Sequence, residues 1–317
     1  MAGPLTLLPS ALAPLSATDL RGSPARRRRE ALVRGLFLAA ASTSILISLL
    51  IVASLADQAW TFVSQVDLGV LISDGWFPRR GRYDLATIIA GTLTITGVAM
   101  VIATPLGLGA AIYLSEYASP RARRVFKPIL ELLAGIPSVV LGFYALAVLA
   151  PSIIQPLCGS NSLFSMGAAG LGVGILITPL IASVSEDAMH AVPSSLREAS
   201  YGLGARQRAT SVRVVIPAAI SGIVAALILG VSRGIGETMV VAISAGGVGG
   251  SLFTVNPCYP GQTMTAAMTA LATGSDQVRG DTLAFPSLFF VGLLLFGLTL
   301  ALNVISERFV RRFRRAY

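Results

Sequence analysis

Two opposite charges lie four residues apart inside an apolar stretch. Arg233 and Glu237 interrupt residues 221–245, a segment otherwise apolar and long enough to cross a membrane. At 3.6 residues per helical turn, both side chains lie on one face, where they can neutralise each other. An ionised arginine at the centre of a bilayer costs about 2.5 to 3.5 kcal/mol on insertion scales, so such residues face protein or a wet cavity.

This pair of charges has two interpretations. In the first, Arg233 and Glu237 form a structural ion pair that locks two helices together. In the second, Arg233 contacts a substrate, because a guanidinium offers a planar fork of donors that matches the oxygens of a tetrahedral oxyanion. Charges inside a membrane often mark substrate pathways. The residue types alone leave both interpretations open.

Apolar residues dominate the composition. Of the 317 residues, 54% are hydrophobic and 12% are charged, against roughly 25% charged residues in a soluble domain. Six apolar runs approach or exceed the roughly 20 residues that a bilayer requires, and they do not alternate as barrel strands do. The sequence therefore predicts an all-α integral membrane protein with about six transmembrane helices. The predicted spans are residues 32–56, 87–114, 129–154, 166–184, 219–245 and 283–305.

The basic residues fall mainly on one side of these spans. Nineteen of the 24 Lys and Arg residues lie in alternate loops and the two tails, four lie in the opposite loops, and Arg233 lies between. This asymmetry follows the positive-inside rule and predicts a multi-pass plasma-membrane protein with both termini in the cytoplasm. It also explains the net charge of +9 without a nucleic-acid partner.

Four segments follow from this topology. They are a basic cytoplasmic tail at residues 1–31, a first helix with its outer segment at 32–86, a transmembrane domain at 87–305 with a cytoplasmic loop at 186–217, and a basic tail at 306–317. The arginines before the first apolar run could also belong to a signal peptide. However, this run exceeds the 7 to 15 apolar residues of a signal core. We therefore interpret it as a membrane helix.

Cys158 and Cys258 are the only cysteines, and the predicted topology places both in outer loops. The compartment outside a plasma membrane is usually oxidising, so a disulfide between them is one expectation. Two free thiols are the alternative, because the sequence does not give their separation. The single histidine, His190, lacks the companion ligands that a zinc site requires, so no metal or cofactor is expected.

Residues 186–217 are too polar to be buried in a membrane. Ser195 and Glu198 have the spacing of a capping box, which predicts a short helix, and Gly202 or Gly204 can supply its left-handed end. This helix carries an apolar face on the cytoplasmic side. Such a face suits the groove of a partner protein. A helix lying along the membrane surface is the alternative.

The same loop resembles that of the permease subunits of ATP-binding-cassette importers. The family pattern is Glu-Ala-Ala, three residues, Gly, nine residues, Ile, one residue, Leu-Pro. Here the matching residues are Glu198, Ala199, Ser200, Gly204, Val214, Ile216 and Pro217. The spacing is complete, and the three departures, at Ser200, Val214 and Ile216, are mild. The resemblance implies a type I importer architecture in which this loop docks an ATPase subunit. A second helix from about residue 205 is expected to bend by Pro217.

The charged motif resembles that of the phosphate-specific members of this family. Residues 232–239 are similar to the family's Arg-Ala-Ile-Gly-Glu-Thr, with Gly234 in place of Ala and with a following Met that is typical of the C-type subunit. The segment from residues 103–107 to Ser115 and Glu116, and residues 133–140, are also similar, and the likeness extends over residues 87–305. It implies that the substrate pathway includes Arg233, Glu237, Thr238 and Ser138.

The resemblance also implies partners. They are a second, A-type permease subunit, two ATP-binding-cassette ATPase subunits, an extracytoplasmic phosphate-binding protein, inorganic phosphate and the lipid bilayer. The chain has no Walker-type, His-Glu-x-x-His or Gly-x-Ser-x-Gly motif. We therefore expect a transport subunit that forms half of a pathway, with ATP hydrolysis on a partner.

Three alternative functions differ in what the charged pair and the loop would do. The same machinery could carry another oxyanion, such as sulfate, molybdate or phosphonate. An ion-coupled secondary transporter would use Arg233 and Glu237 as a relay, but it needs no helix shaped to dock an ATPase. A membrane sensor would bind phosphate-regulation proteins. Co-purification of an ATPase subunit separates the first alternative from the other two.

Overall fold

The computed structural model describes residues 24–72, 75–247, 249–274 and 283–313, so most of the predicted N-terminal tail and the end of the C-terminal tail lie outside the described residues. The helices are α1 Pro24–Gln65, α2 Leu85–Ile112, α3 Pro120–Ala134, α4 Ser138–Tyr144, α5 Gln155–Cys158, α6 Met166–His190, α7 Ser194–Gly202, α8 Gln207–Thr210, α9 Ile216–Ile235, α10 Met239–Ser244, α11 Met264–Ala272 and α12 Ala284–Phe313. Three π-helical stretches, Tyr113–Tyr117, Ala145–Ile154 and Ser211–Val215, continue or join helices, and 3-10 turns cover Leu68–Ile72 and Pro78–Arg80. Strands β1 Trp76–Phe77 and β2 Arg82–Tyr83 pair antiparallel.

Six helices in the described residues are long and apolar enough to cross a membrane. They are Arg28–Gln65, Leu85–Tyr117, Ser138–Cys158, Met166–His190, Gln207–Ile235 and Ala284–Arg308. The predicted all-α membrane fold is confirmed. The described residues form two compact units, one ending at Ser54 and the other starting at Leu55, and α1 contains this boundary. The sites described below lie in the second unit.

The third predicted span, residues 129–154, is wrong at its beginning. The chain breaks after α3, and the span runs from Ser138 to Cys158. Pro137 causes the break, because it lacks an N–H and disfavours helical geometry at Ile136. Helix α3 is amphipathic and has no buried residue. It therefore connects two spans at one end of the bundle.

The fifth predicted span, residues 219–245, is wrong at both ends. The spanning helix is Gln207–Ile235, and the chain leaves helical geometry at Gly236 before α10 begins. The helix expected to bend by Pro217 continues through this proline, which is the second residue of α9. The π-helical stretch Ser211–Val215 lies directly before it, and such stretches adapt the backbone hydrogen-bond pattern inside helices.

Helices α2 and α6 form the centre of the second unit and approach each other through glycines. A Cβ added at Gly170 would lie 2.6 Å from Val98, and one added at Gly107 would lie 2.8 Å from Ile181. Real Cβ atoms do not come so close, so these positions require glycine. The buried residues between the helices include Ile95, Ala99, Ala103, Val173, Ile177 and Ile181. This packed pair is the scaffold against which α9 and α10 are placed.

A disulfide joins Cys158 and Cys258, with their Cα atoms 5.7 Å apart. It lies at the end of α6 remote from α7. Beside it, the N–H of Gly167 donates to the carbonyl of Pro257 at 2.7 Å, and that of Met166 donates to Tyr259 at 3.0 Å. The segment around Cys258 is thus held over the start of α6. Of the two alternatives for the cysteines, the structure has the disulfide.

Replacing both cysteines, Cys158→Ser with Cys258→Ser, is expected to lower the thermal unfolding midpoint in detergent. The bond closes a loop with a sequence separation of 100 residues, worth up to about 4.7 kcal/mol in the chain-entropy model. The control is the unmutated protein with and without reductant. A double variant that unfolds at the unmutated temperature would show that the bond does not stabilise the fold.

Candidate functional site

Arg233 and Glu237 lie together at the break between α9 and α10. Arg233 is in the last turn of α9, Glu237 is beyond its end, and the Nη2 and Oε2 atoms are 3.5 Å apart. The Glu237 side chain is 4% exposed and that of Arg233 is 54% exposed. The carboxylate is therefore buried inside the chain, while the guanidinium reaches out of it.

Glu237 accepts hydrogen bonds from residues of two other helices. Its Oε1 accepts a hydrogen bond from the Val240 N–H at 3.4 Å, near the start of α10. Its backbone carbonyl accepts one from the Thr265 hydroxyl, on α11, at 2.8 Å. Glu237 is thus held by one bond to its carboxylate and one to its backbone carbonyl, in addition to its contact with Arg233. Thr265 was missed by sequence reasoning, because no local signal joins it to a residue 28 positions earlier.

Two further predicted pathway residues, Thr238 and Ser138, lie at the starts of helices. Thr238 directly precedes α10 and its hydroxyl donates to the Gly236 carbonyl at 3.3 Å. Ser138 is the first residue of α4 and is half-buried. Helix α4 packs on α10 through Gly142, where an added Cβ would lie 3.1 Å from the Met239 carbonyl. The structure gives no bond between Ser138 and the charged pair.

Gly234, the residue that departs from the family motif, packs against the scaffold. A Cβ there would lie 3.1 Å from Cγ2 of Thr96 on α2 and 3.3 Å from Cδ1 of Ile177 on α6. These distances are tight, so an alanine would require a shift of a few tenths of an ångström. Gly234 therefore seats the segment that carries Arg233 directly against the central helix pair.

Helix α7 presents the predicted docking residues at the other end of α6. Glu198 and Ala199 are exposed, and Leu203, just after the helix, is 90% exposed. The predicted capping box is wrong. The helix begins one residue before Ser195, after Pro193, without a side-chain cap, because the proline already fixes its entry. The Glu198 carboxylate has no hydrogen bond or ion pair with a described residue, so it is free to meet a partner.

The other predicted docking residues are Ser200, Gly204 and Pro217. Gly204 has a φ of +81°, which confirms the left-handed end, whereas Gly202 belongs to α7. The Ser200 hydroxyl lies 2.9 Å from that of Thr210, which connects α7 to α8. Pro217 lies inside the fifth spanning helix. Of the five predicted docking residues, only Ser200 is partly buried, and the other four are exposed.

An ion-pair network at the same end was missed by sequence reasoning. On α3, Arg123 pairs with Glu186, and the Lys127 ammonium lies 2.8 Å from both Glu186 and Asp187. The hydrogen bond with Asp187, followed by that with Glu186, raises the pKa of Lys127. The resulting stability is complete below the pKa of an unfolded lysine and is lost only as the pH rises through the raised value. The network thus anchors α3 to α6 at neutral pH.

The arrangement defines a class of protein. The described residues contain six apolar helices able to cross a membrane, a helix break that carries a charged pair, and an exposed helix at one end of the bundle. These features describe a multi-pass membrane protein. The chain belongs to the family of binding-protein-dependent transport system inner membrane components, whose model matches residues 103–315.

Comparisons with individual proteins agree with this assignment. The chain is 33% identical to the phosphate transport system permease protein PstC of Mesorhizobium japonicum, over 90% of this chain and 92% of that protein. It is 31% identical to PstC of Haemophilus influenzae, over 84% and 88% of the two chains. Among solved structures, a bacterial alginate ABC transporter in complex with an alginate pentasaccharide-bound periplasmic protein aligns with a TM-score of 0.65 at 13% identity, over 91% of this chain and 97% of that one. The resemblance inferred from the loop is confirmed.

Proposed function

We propose that this chain is the permease subunit that forms half of the transmembrane pathway of an ATP-driven inorganic phosphate importer. One observation carries the proposal: the Arg233 guanidinium is half-exposed in a spanning segment while its carboxylate partner is buried. A planar fork of donors matches the oxygens of phosphate. The names of the relatives, phosphate transport system permease proteins, support the same substrate.

The geometry of the pair suits transient binding of an anion. A separation of 3.5 Å between Nη2 and Oε2 exceeds the usual length of an N–H···O hydrogen bond. Glu237 thus orients Arg233 electrostatically without saturating its donors. A guanidinium has five N–H donors, and Arg233 has no other bond among the described residues. Phosphate can approach the exposed edge while Glu237 stays fixed on α10 and α11.

The energy for transport comes from partner subunits in this proposal. The chain carries no nucleotide motif, so ATPase subunits supply the energy through the exposed face of α7. A second permease subunit completes the pathway around Arg233, and an external binding protein delivers phosphate. The description of the family as binding-protein-dependent supports the last of these partners.

The topology has its own prediction, with both termini and α7 in the cytoplasm. We expect an impermeant thiol reagent to label Arg82→Cys, in the exposed part of β2, from outside intact cells. Leu203→Cys, which is 90% exposed, is the matched control and should react only after permeabilisation. The native cysteines form a disulfide and stay silent. The reverse labelling pattern would overturn the orientation.

The experiment that tests the function uses proteoliposomes holding this chain, the second permease subunit and the ATPase subunits. Radiolabelled phosphate uptake is measured with the binding protein outside and with or without ATP inside. We expect ATP-dependent uptake that excess sulfate, molybdate or phosphonate does not suppress. Uptake driven by an ion gradient without ATP would favour a secondary transporter. Suppression by one competing oxyanion would reassign the substrate.

A further inference from the structure

A buried carboxylate lies where the second span ends. Glu116 belongs to the π-helical turn Tyr113–Tyr117 that follows α2, and its side chain is 3% exposed. Its Oε1 accepts hydrogen bonds from the neighbouring Ser115 hydroxyl and from Nη2 of Arg197, each at 2.9 Å. A buried carboxylate needs such partners, because an unpaired buried charge is strongly destabilising.

Arg197, on α7, connects this carboxylate to the fourth span. Its guanidinium also donates to the carbonyl of Met189, in the last turn of α6, at 2.8 Å and to that of Val192 at 2.6 Å. The side chain is 19% exposed. One rigid group therefore touches the end of the second span, the end of the fourth span and the helix that carries Glu198.

The fifth span meets the same point. Gln207, the first residue of the fifth spanning helix, donates through Nε2 to the backbone carbonyl of Glu116. Three spans and α7 thus converge on Glu116 and Arg197. The exposed residue Glu198 is next to Arg197 in the sequence. Helix α7 therefore exposes Glu198 to a partner and binds the bundle through Arg197.

We propose that Glu116 and Arg197 are a positioning pair that transmits a displacement of α7 to the second, fourth and fifth spans. The inference rests on the proposed function, in which an ATPase subunit moves α7. Because a guanidinium is a planar, pre-organised fork, three acceptors around it hold α7 at a fixed angle to the spans. Without the pair, α7 still binds the ATPase, but its motion no longer drives the bundle.

The test measures phosphate uptake and ATP hydrolysis in the same proteoliposomes of the assembled complex. Glu116→Gln removes the charge and keeps the size, and we expect the phosphate carried per ATP to fall roughly tenfold or more, the equivalent of one hydrogen bond to a charged group. Co-purification and ATP hydrolysis should stay close to those of the unmutated complex, because Arg197 keeps its hydrogen bonds to the carbonyls of Met189 and Val192. Glu116→Asp keeps the charge on a shorter arm and should give an intermediate ratio.

The matched control is Glu131→Gln, an exposed carboxylate on α3 at the same end, which should leave the ratio unchanged. An unchanged ratio in Glu116→Gln would overturn the proposal. A parallel loss of assembly, hydrolysis and uptake would also overturn it, because it would indicate a role in folding alone.

A second measurement does not depend on phosphate. Spin labels at Leu203→Cys and Tyr117→Cys, both exposed positions, report the distance between α7 and the end of the second span. We expect one narrow distance distribution with and without ATP, and a broad one after Glu116→Gln. If the unmutated complex carries no phosphate, the proposed function fails while this distance still tests the pair. A narrow distribution in the variant would refute the pair.

Discussion

Arg233→Gln is expected to reduce phosphate uptake by at least about 100-fold while the complex still assembles. A hydrogen bond to a charged group is worth about 1.5 to 3 kcal/mol, so a fork of two bonds accounts for a loss of this size. The exposed position of the guanidinium, 54% in this chain, makes the substitution compatible with folding. Uptake and co-purification of the partner subunits are the two measurements.

Three further variants test the cause of this expected loss of uptake. Arg233→Lys should restore little, because an ammonium is a point charge without the planar fork. Glu237→Gln should be milder than Arg233→Gln, since the amide oxygen can still accept the Val240 N–H. Gly234→Ala introduces tight contacts with Thr96 and Ile177 but changes no charge, so it serves as the local control. Normal uptake by Arg233→Gln would make the pair a purely structural ion pair.

The second large effect is expected at the docking helix. Glu198→Lys reverses an exposed charge that has no partner among the described residues, so α7 itself should fold normally. We expect at least tenfold weaker capture of the ATPase subunit, the equivalent of about 1.4 kcal/mol, and a matching loss of stimulated ATP hydrolysis. Glu131→Lys is the control reversal on the same end of the bundle. Unchanged capture and hydrolysis would place the contact elsewhere, such as residues 116–128.

Gly204→Val should weaken the same proposed contact, between α7 and the ATPase subunit, by changing the backbone conformation. Gly204 has a φ of +81°, and a β-branched residue there costs of order 1 to 3 kcal/mol of strain. No heavy atom lies within 4 Å of the added Cβ, so the effect is on backbone conformation and not on packing. We expect an inserted protein whose ATPase capture is weakened because α7 no longer keeps its angle to α8.

Bilayer thickness made the number of spans predictable, but local rules did not fix where the helices break. Pro105 lies inside α2 and Pro128 inside α3 without ending either helix, whereas Pro137 lies in the break between α3 and α4. The packing of α2 against α6 helps to keep α2 helical around Pro105, but α3 has no buried residue, so the presence of a proline alone does not predict a break.

In the candidate site too, contacts between residues close in sequence were predictable, and contacts between distant residues were not. Arg233 and Glu237 are close in sequence, so their spacing predicted their contact. Arg197 is 81 residues from Glu116, and Lys127 is 59 residues from Glu186. Only the folded chain brings such partners together. The sequence therefore predicted the charged pair and the docking loop, but not the contacts that connect α7 and α3 to the bundle.

The half-exposed guanidinium of Arg233 also bears on how cells assemble this protein. A chain without its proposed neighbour would present this cation to lipid, which is unfavourable. In the proposed transporter, the residue that binds phosphate would therefore also distinguish an unassembled subunit from an assembled one. Such a chain would be less stable than the assembled one, and membrane quality-control proteases would degrade it more readily. If the proposed second permease subunit covers Arg233, its synthesis should therefore limit how much of this protein accumulates.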